Sequence, residues 1–312
     1  MPHLYPQGQG TLSFAEFYER AHECLEHARL LGVDMEQPRF GRYLDALREA
    51  AALRDEFRLD PVSDESRWRL FTEALVQCRP LILSRPIWDA LDREGLQDRL
   101  KTIRGGSLLP APGVQHDHAR NTLLELDTLA ALAELGFETQ LMRGGPDVIA
   151  AYPGLDPYAV ECKRPTSVSS LRKHIKAARE QIRGRGSIGL KRGICAIGID
   201  RVVGLSGKKL IDVKTAAEFD MRIQRYLREL GDQLELIMAE GPLFTKVPIV
   251  VFVLSVAVFA FEDRRLVVKR VFAAVVTVPD DDPRGGAASP DLRSSQLQAP
   301  VLRDLLASST RT

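Results

Sequence analysis

An aspartate follows a proline at Asp147, and after thirteen intervening residues the chain reads Glu161-Cys162-Lys163. Side chains two apart on an extended strand leave from the same face, so Glu161 and Lys163 point together while Cys162 points away. If the chain folds back between Asp147 and Glu161, two carboxylates and an ammonium converge. Such a cluster is a cradle for a divalent metal ion and an anionic substrate.

The elements needed to position these groups can be drawn from the neighbouring residues. Val148-Ile149-Ala150-Ala151 is short, apolar and partly β-branched, and Pro153-Gly154-Leu155-Asp156-Pro157 is a turn cluster. Tyr158 to Lys163 then alternates, with Tyr158, Val160 and Cys162 on one face, and Pro165 ends the strand. The expectation is a hairpin that brings Asp147 near Glu161. Upstream, Ala119 to Leu135 reads as a helix that is apolar around most of its circumference and therefore buried. Glu125 lies at helical spacing with Leu129 and Leu132, and a carboxylate there needs a metal or a cationic partner. An ion pair with Arg120 or another nearby base is the alternative use of the same acid.

The order is an acid-bearing helix, a strand from Phe137 to Met142, the Pro-Asp strand, the Glu-x-Lys strand and a basic helix. This resembles the PD-(D/E)xK nuclease superfamily over about residues 116 to 202. The resemblance implies an α/β fold with a restriction-endonuclease-like core, a mixed central sheet flanked by helices. It implies phosphodiester hydrolysis assisted by Mg²⁺ or Mn²⁺, with DNA favoured over RNA. It also implies roles: Asp147 and Glu161 as metal ligands with the Cys162 carbonyl, and Glu125 as the first-helix acid near the same ion. Lys163 is the motif lysine, and Gln181 corresponds to a glutamine that some members direct at the site.

Beyond the hairpin, ten Lys and Arg side chains but one acid, Glu180, fall between 163 and 192, in a protein of formal net charge +1. A helix over 168–183 buries Leu171, Ile175, Ala178 and Ile182 and leaves its charges on the other face. Arg164, Arg172, Lys173, Lys176, Arg179, Arg183 and Arg185 are the candidate contacts to a nucleic-acid backbone. Clustered charge of this kind supplies affinity and little sequence information. His116 and His118 have no partner at zinc-ligand spacing. Cys24, Cys78, Cys162 and Cys195 are scattered without a Cys-x-x-Cys pair, so free thiols in a reducing cytoplasm are expected.

The 312 residues divide into an all-helical N-terminal domain (1–112), the nuclease-like domain (113–279) and a flexible tail (280–312). Helices are expected from Ser13 to Gly32, near 38–56 and near 64–78, with the glycine- and proline-rich stretch 105–113 as a linker. The helical region is the candidate surface for a protein partner, and a second subunit would suit cutting of both strands. The apolar run from Val247 to Phe261 is shorter than the ~20 residues of a membrane-spanning helix. It reads as a buried strand with an antiparallel neighbour over 266–278, and no membrane association is expected. Gly193 to Ile199 is a further buried strand, and 215–239 a helix covering a sheet face. No secretory leader is apparent at the N-terminus. A non-catalytic nucleic-acid-binding module of the same fold and a protein-interaction scaffold are the alternatives to a nuclease.

Overall fold

The computed structural model describes residues 4–5, 12, 14–53, 65–109, 117–154, 156–184, 190, 192–202, 211–215, 217–219, 221–222, 225, 230, 249–260 and 265–276. The chain is α/β, with helices against a mixed sheet. In chain order the described elements begin with β1 (Leu4–Tyr5), α1 (Phe14–Leu30), α2 (Gly41–Leu53), α3 (Glu65–Ser84) and α4 (Arg93–Arg104). There follow α5 (His118–Glu134), β2 (Glu138–Gln140), β3 (Val148–Ala151), β4 (Tyr158–Lys163) and α6 (Leu171–Gly184). The remaining strands are β5 (Arg192–Gly198), β6 (Ile211–Val213), β7 (Ile249–Ala260) and β8 (Arg265–Val276).

The strands run β1-β8-β7-β5-β4-β3-β2 across the sheet, with β6 also paired to β7. β2, β3 and β4 form an antiparallel meander, and β4, β5 and β7 are parallel neighbours. The expected hairpin over 148–163 is present. So is the long apolar strand, whose partner pairs with it from Ala260–Arg265 to Ile249–Val276. No helix among the described residues is long and apolar enough to cross a membrane.

Alternation along β4 and β5 gives the sheet two distinct faces. Tyr158, Val160, Ile194 and Ala196 join the core under α5 and α3. Ala159, Cys195 and Ile197 take the other face, over which α6 lays Leu171, Ile175, Ala178 and Ile182. Gly193 allows that helix to seat, since an added Cβ would lie 2.3 Å from Ile182 Cδ1 and 2.7 Å from the Ala159 carbonyl oxygen. Gly193→Ala should destabilise the fold by about 2 kcal/mol, read as a lower urea midpoint.

Three differences from the sequence expectations have local causes. α3 continues past residue 78 to Ser84 despite Pro80, because Leu75, Cys78, Leu81 and Ile82 are buried on several sides of that turn. Burial there outweighs the hydrogen bond that proline removes. α4 was not anticipated: Asp92 caps it by accepting from Gly95 N–H at 2.6 Å, and Leu96, Leu100 and Ile103 form its buried stripe. The start of the 105–113 stretch is packed rather than loose, with Arg120 donating to Ser107 Oγ and Tyr43 Oη to the Leu108 carbonyl. One core runs from Phe17 in α1 to Val253 in β7. The tail over 280–312 and most of the helix expected over 215–239 lie outside the described residues.

Candidate active site

The β3–β4 register sets the distance between the acids. Val148 pairs with Val160, and the next step along the ladder sets Asp147 against the Glu161 end of β4. Asp147 Oδ2 accepts the Cys162 backbone N–H at 2.6 Å, which fixes the carboxylate against that strand. Lys163 Nζ lies 3.2 Å from Glu161 Oε2, 3.2 Å from the Cys162 carbonyl oxygen and 3.9 Å from Asp147 Oδ2. Cys162 Sγ leaves from the opposite face and sits 3.7 Å from Thr128 Oγ1 on α5. Asp147, Glu161 and Lys163 therefore come together, with Glu161 almost wholly buried.

Glu125 approaches from α5. Its partner is Arg99 of α4, whose Nε donates to Glu125 Oε2 at 3.2 Å. Arg120 is committed elsewhere, to Glu73 at 2.6 Å and Asp117 at 2.5 Å. Burial, and then the charge of Asp147, push the Glu125 carboxyl up to about 8, with Arg99 and Lys163 pulling the other way. Lys163 behaves differently. Burial opposes its charge, but Asp147 and Glu161 outweigh burial and hold the ammonium above its ordinary range.

No family model, curated protein or solved structure matches the chain. The site is therefore read from its own chemistry.

The groups that Lys163 Nζ pairs with are hard oxygens, from two carboxylates and a carbonyl, and they already attract a cation. That set fits a divalent ion such as Mg²⁺. In the present arrangement the ammonium stands at the point where they converge. The carboxylates of Glu125, Asp147 and Glu161 have not closed on one another. Among the described residues, only His22, Glu26 and Glu36 bring three ligand atoms within 4.8 Å of one another. That group is on the helical side, partly exposed, and exposed acids cluster commonly without an ion.

The remaining expected residues separate into three groups. Arg172, Lys173, Lys176 and Arg183 are exposed on α6, and Arg179 is partly so. Since α6 follows β4 and Ile182 packs on Gly193, the helix runs back along the sheet and its basic face begins at the Lys163 end. Arg164 is not on that face. Its guanidinium is largely buried against Asp200, with Nε 2.9 Å from Oδ1, so its charge is used within the fold. Gln181 is exposed on α6 and makes no hydrogen bond to the acids or to Lys163. Arg185 and His116 lie outside the described residues, and His118 is exposed at the start of α5.

Cysteine chemistry is disfavoured. Burial, then Asp147 and Glu125, push the Cys162 thiol well up, and burial takes Cys195 to about 12.

The raised Glu125 carboxyl makes a stability prediction for metal-free protein. The unfolded group releases its proton near its ordinary value of 4.5 and the folded one near 8. Between those values the folded chain binds more protons, so the contribution of Glu125 is full below about pH 4.5 and falls as pH rises towards 8. Glu125→Gln removes that fall. In EDTA the variant should match wild type at pH 4.5 and exceed it by on the order of 4 kcal/mol at pH 8.5, measured by urea unfolding. Equal stabilities at both values would show that Glu125 titrates normally.

Proposed function

We propose that the chain is a metal-dependent nuclease of the PD-(D/E)xK type, hydrolysing phosphodiester bonds, with DNA the preferred substrate over RNA. The observation that carries this reading is the meeting of Glu161 Oε2, Asp147 Oδ2 and the Cys162 carbonyl around one ammonium. The succession α5-β2-β3-β4-α6-β5, with three antiparallel strands and a parallel fourth, supports the restriction-endonuclease-like core.

Asp147, Glu161 and the Cys162 carbonyl would hold Mg²⁺ or Mn²⁺, with Glu125 reaching the same ion through water. An ion held there supplies a water of lowered pKa and offsets charge on the scissile phosphate. Lys163 stays an ammonium, since its two acidic neighbours favour the charged form, and so it is not the general base. It orients the attacking water and stabilises the negative charge that builds on the phosphorus oxygens. Arg172, Lys173, Lys176, Arg179 and Arg183 present a charged track for the backbone, leading away from the Lys163 end of β4. Repair, or defence against foreign DNA, is a setting that fits this chemistry.

The test is to incubate the protein with linear, circular, branched and single-stranded DNA and with RNA, in Mg²⁺, Mn²⁺ or EDTA. Glu161→Ala and Lys163→Ala run alongside. Cleavage is expected only with metal and only in the unsubstituted protein. Cleavage that survives both substitutions comes from elsewhere. Binding without cleavage identifies a non-catalytic nucleic-acid-binding module, and neither binding nor cleavage identifies a scaffold.

A further inference from the structure

We propose that α4, through Arg99, is a clamp that positions the catalytic aspartate, so that the helical N-terminal region supplies a working part of the site. This inference rests on the nuclease reading and extends it to a residue outside the motif.

Arg99 sits in the middle of α4, and its guanidinium is mostly buried, with 13% of the side chain exposed. Its donors reach three separate points. Nε bonds Glu125 Oε2 on α5 at 3.2 Å, Nη1 the Met142 carbonyl at 3.0 Å, and Nη2 approaches the Asp147 carbonyl at 3.5 Å. Met142 and Asp147 bracket the loop between β2 and β3, and that loop delivers Asp147. One planar cation therefore ties both ends of the loop to the acid on α5, a geometry suited to the rigid fork of arginine and not to the point charge of lysine.

The rest of α4 holds the same loop. Gly95 lets the helix approach so closely that an added Cβ would lie 3.1 Å from the Leu141 carbonyl oxygen. At the surface, Arg143 pairs with Glu94 at 3.4 Å and Asp98 at 3.3 Å, both on α4. Within the loop, Gly144 takes φ +66°, a left-handed turn. The Asp147 carboxylate is held by the Cys162 N–H, and its backbone carbonyl by Arg99. Its position thus depends on two elements that come from opposite sides in the sequence. Arg99 bonds Glu125 and the backbone carbonyls of Met142 and Asp147, and acts through Asp147 and Glu125. It is a positioning residue.

The experiment compares wild type, Arg99→Met and Arg99→Lys by hydrogen exchange over residues 141–147 and 158–163, and by calorimetric titration with Mn²⁺ of protein shown to be folded by its melting curve. Arg99→Met should speed exchange in the 141–147 segment at least ~10-fold, because the carbonyl anchors are lost. It should weaken Mn²⁺ binding by about 10–100-fold, as loss of an outer partner to metal ligands does. Arg99→Lys should recover part of both. Unchanged exchange in Arg99→Met overturns the clamp. Faster exchange with unchanged Mn²⁺ affinity overturns the positioning role and leaves Arg99 a purely structural residue. Wild-type protein that binds no Mn²⁺, or binds it equally well as Asp147→Asn, sinks the nuclease reading and with it the positioning role, while the exchange data still decide whether α4 holds the loop.

Discussion

Glu161→Gln is expected to lower the rate of phosphodiester hydrolysis by on the order of 10³-fold and to weaken Mn²⁺ binding by roughly 100-fold. The substitution keeps the size of the side chain and removes one negative charge from a buried position facing Lys163 Nζ at 3.2 Å. Affinity for a hard cation depends on the number of charged oxygens that meet it, and two carboxylates face this point. Glutamine leaves one. Asp147→Asn should act in the same direction, and additionally replaces the charged acceptor of the Cys162 N–H by a neutral one. The two losses should be far from additive, because either variant alone dismantles the same centre. A Mn²⁺ dissociation constant unchanged in Glu161→Gln would remove the acid from the site.

Lys163→Met should separate rate from affinity. Hydrolysis should fall by about 10²–10³-fold, the range for losing one electrostatic donor to a developing negative charge. Mn²⁺ binding should be equal to wild type or tighter. The ammonium now occupies the convergence of Glu161, Asp147 and the Cys162 carbonyl, and an added cation must compete with it there. Without it, metal-free protein carries buried acids that lack a counter-charge and should unfold at lower urea. Added Mn²⁺ should then restore more stability to the variant than to wild type. Methionine preserves the apolar stem, so packing is little altered. If Lys163→Met binds Mn²⁺ more weakly, the amine supports the ion instead of competing with it, and the electrostatic role assigned to it fails.

Much of the site's frame was legible in the residues. The hairpin followed from the turn cluster 153–157 and from alternation in Tyr158–Lys163, and the structure has β3 and β4 at 148–151 and 158–163. The basic face of α6 followed from the spacing of Leu171, Ile175, Ala178 and Ile182, all buried. Arg164 was misleading because a base next to a motif looks like part of a charged track. Only the fold reveals Asp200, thirty-six residues away, as its partner. Arg99 was invisible for a related reason: nothing in a run of charges on a surface helix marks the one that turns inward. The available signals were the capping Asp92 and the Leu96, Leu100, Ile103 stripe, which together specify α4 and leave Arg99 off its apolar centre line. The choice of Arg99 over Arg120 as the partner of Glu125 could not be made from spacing. Both are arginines within reach in sequence, and only the packing of α4 and α3 against α5 decides between them.

The pairing of Val148 with Val160 has a consequence for how such a centre can vary. What brings the two acids face to face is a ladder acting as a ruler, counted from the hydrogen bonds and not from the residues around the bend. Lengthening the bend between Tyr152 and Pro157 would leave every rung where it is, so the thirteen-residue interval is incidental. Inserting one residue inside either strand would turn the following side chains to the other face, carrying Glu161 and Lys163 away from Asp147. The working unit is thus a pair of rungs joined by a length of chain that is free to drift, and an interval measured along the polymer is a poor guide to it.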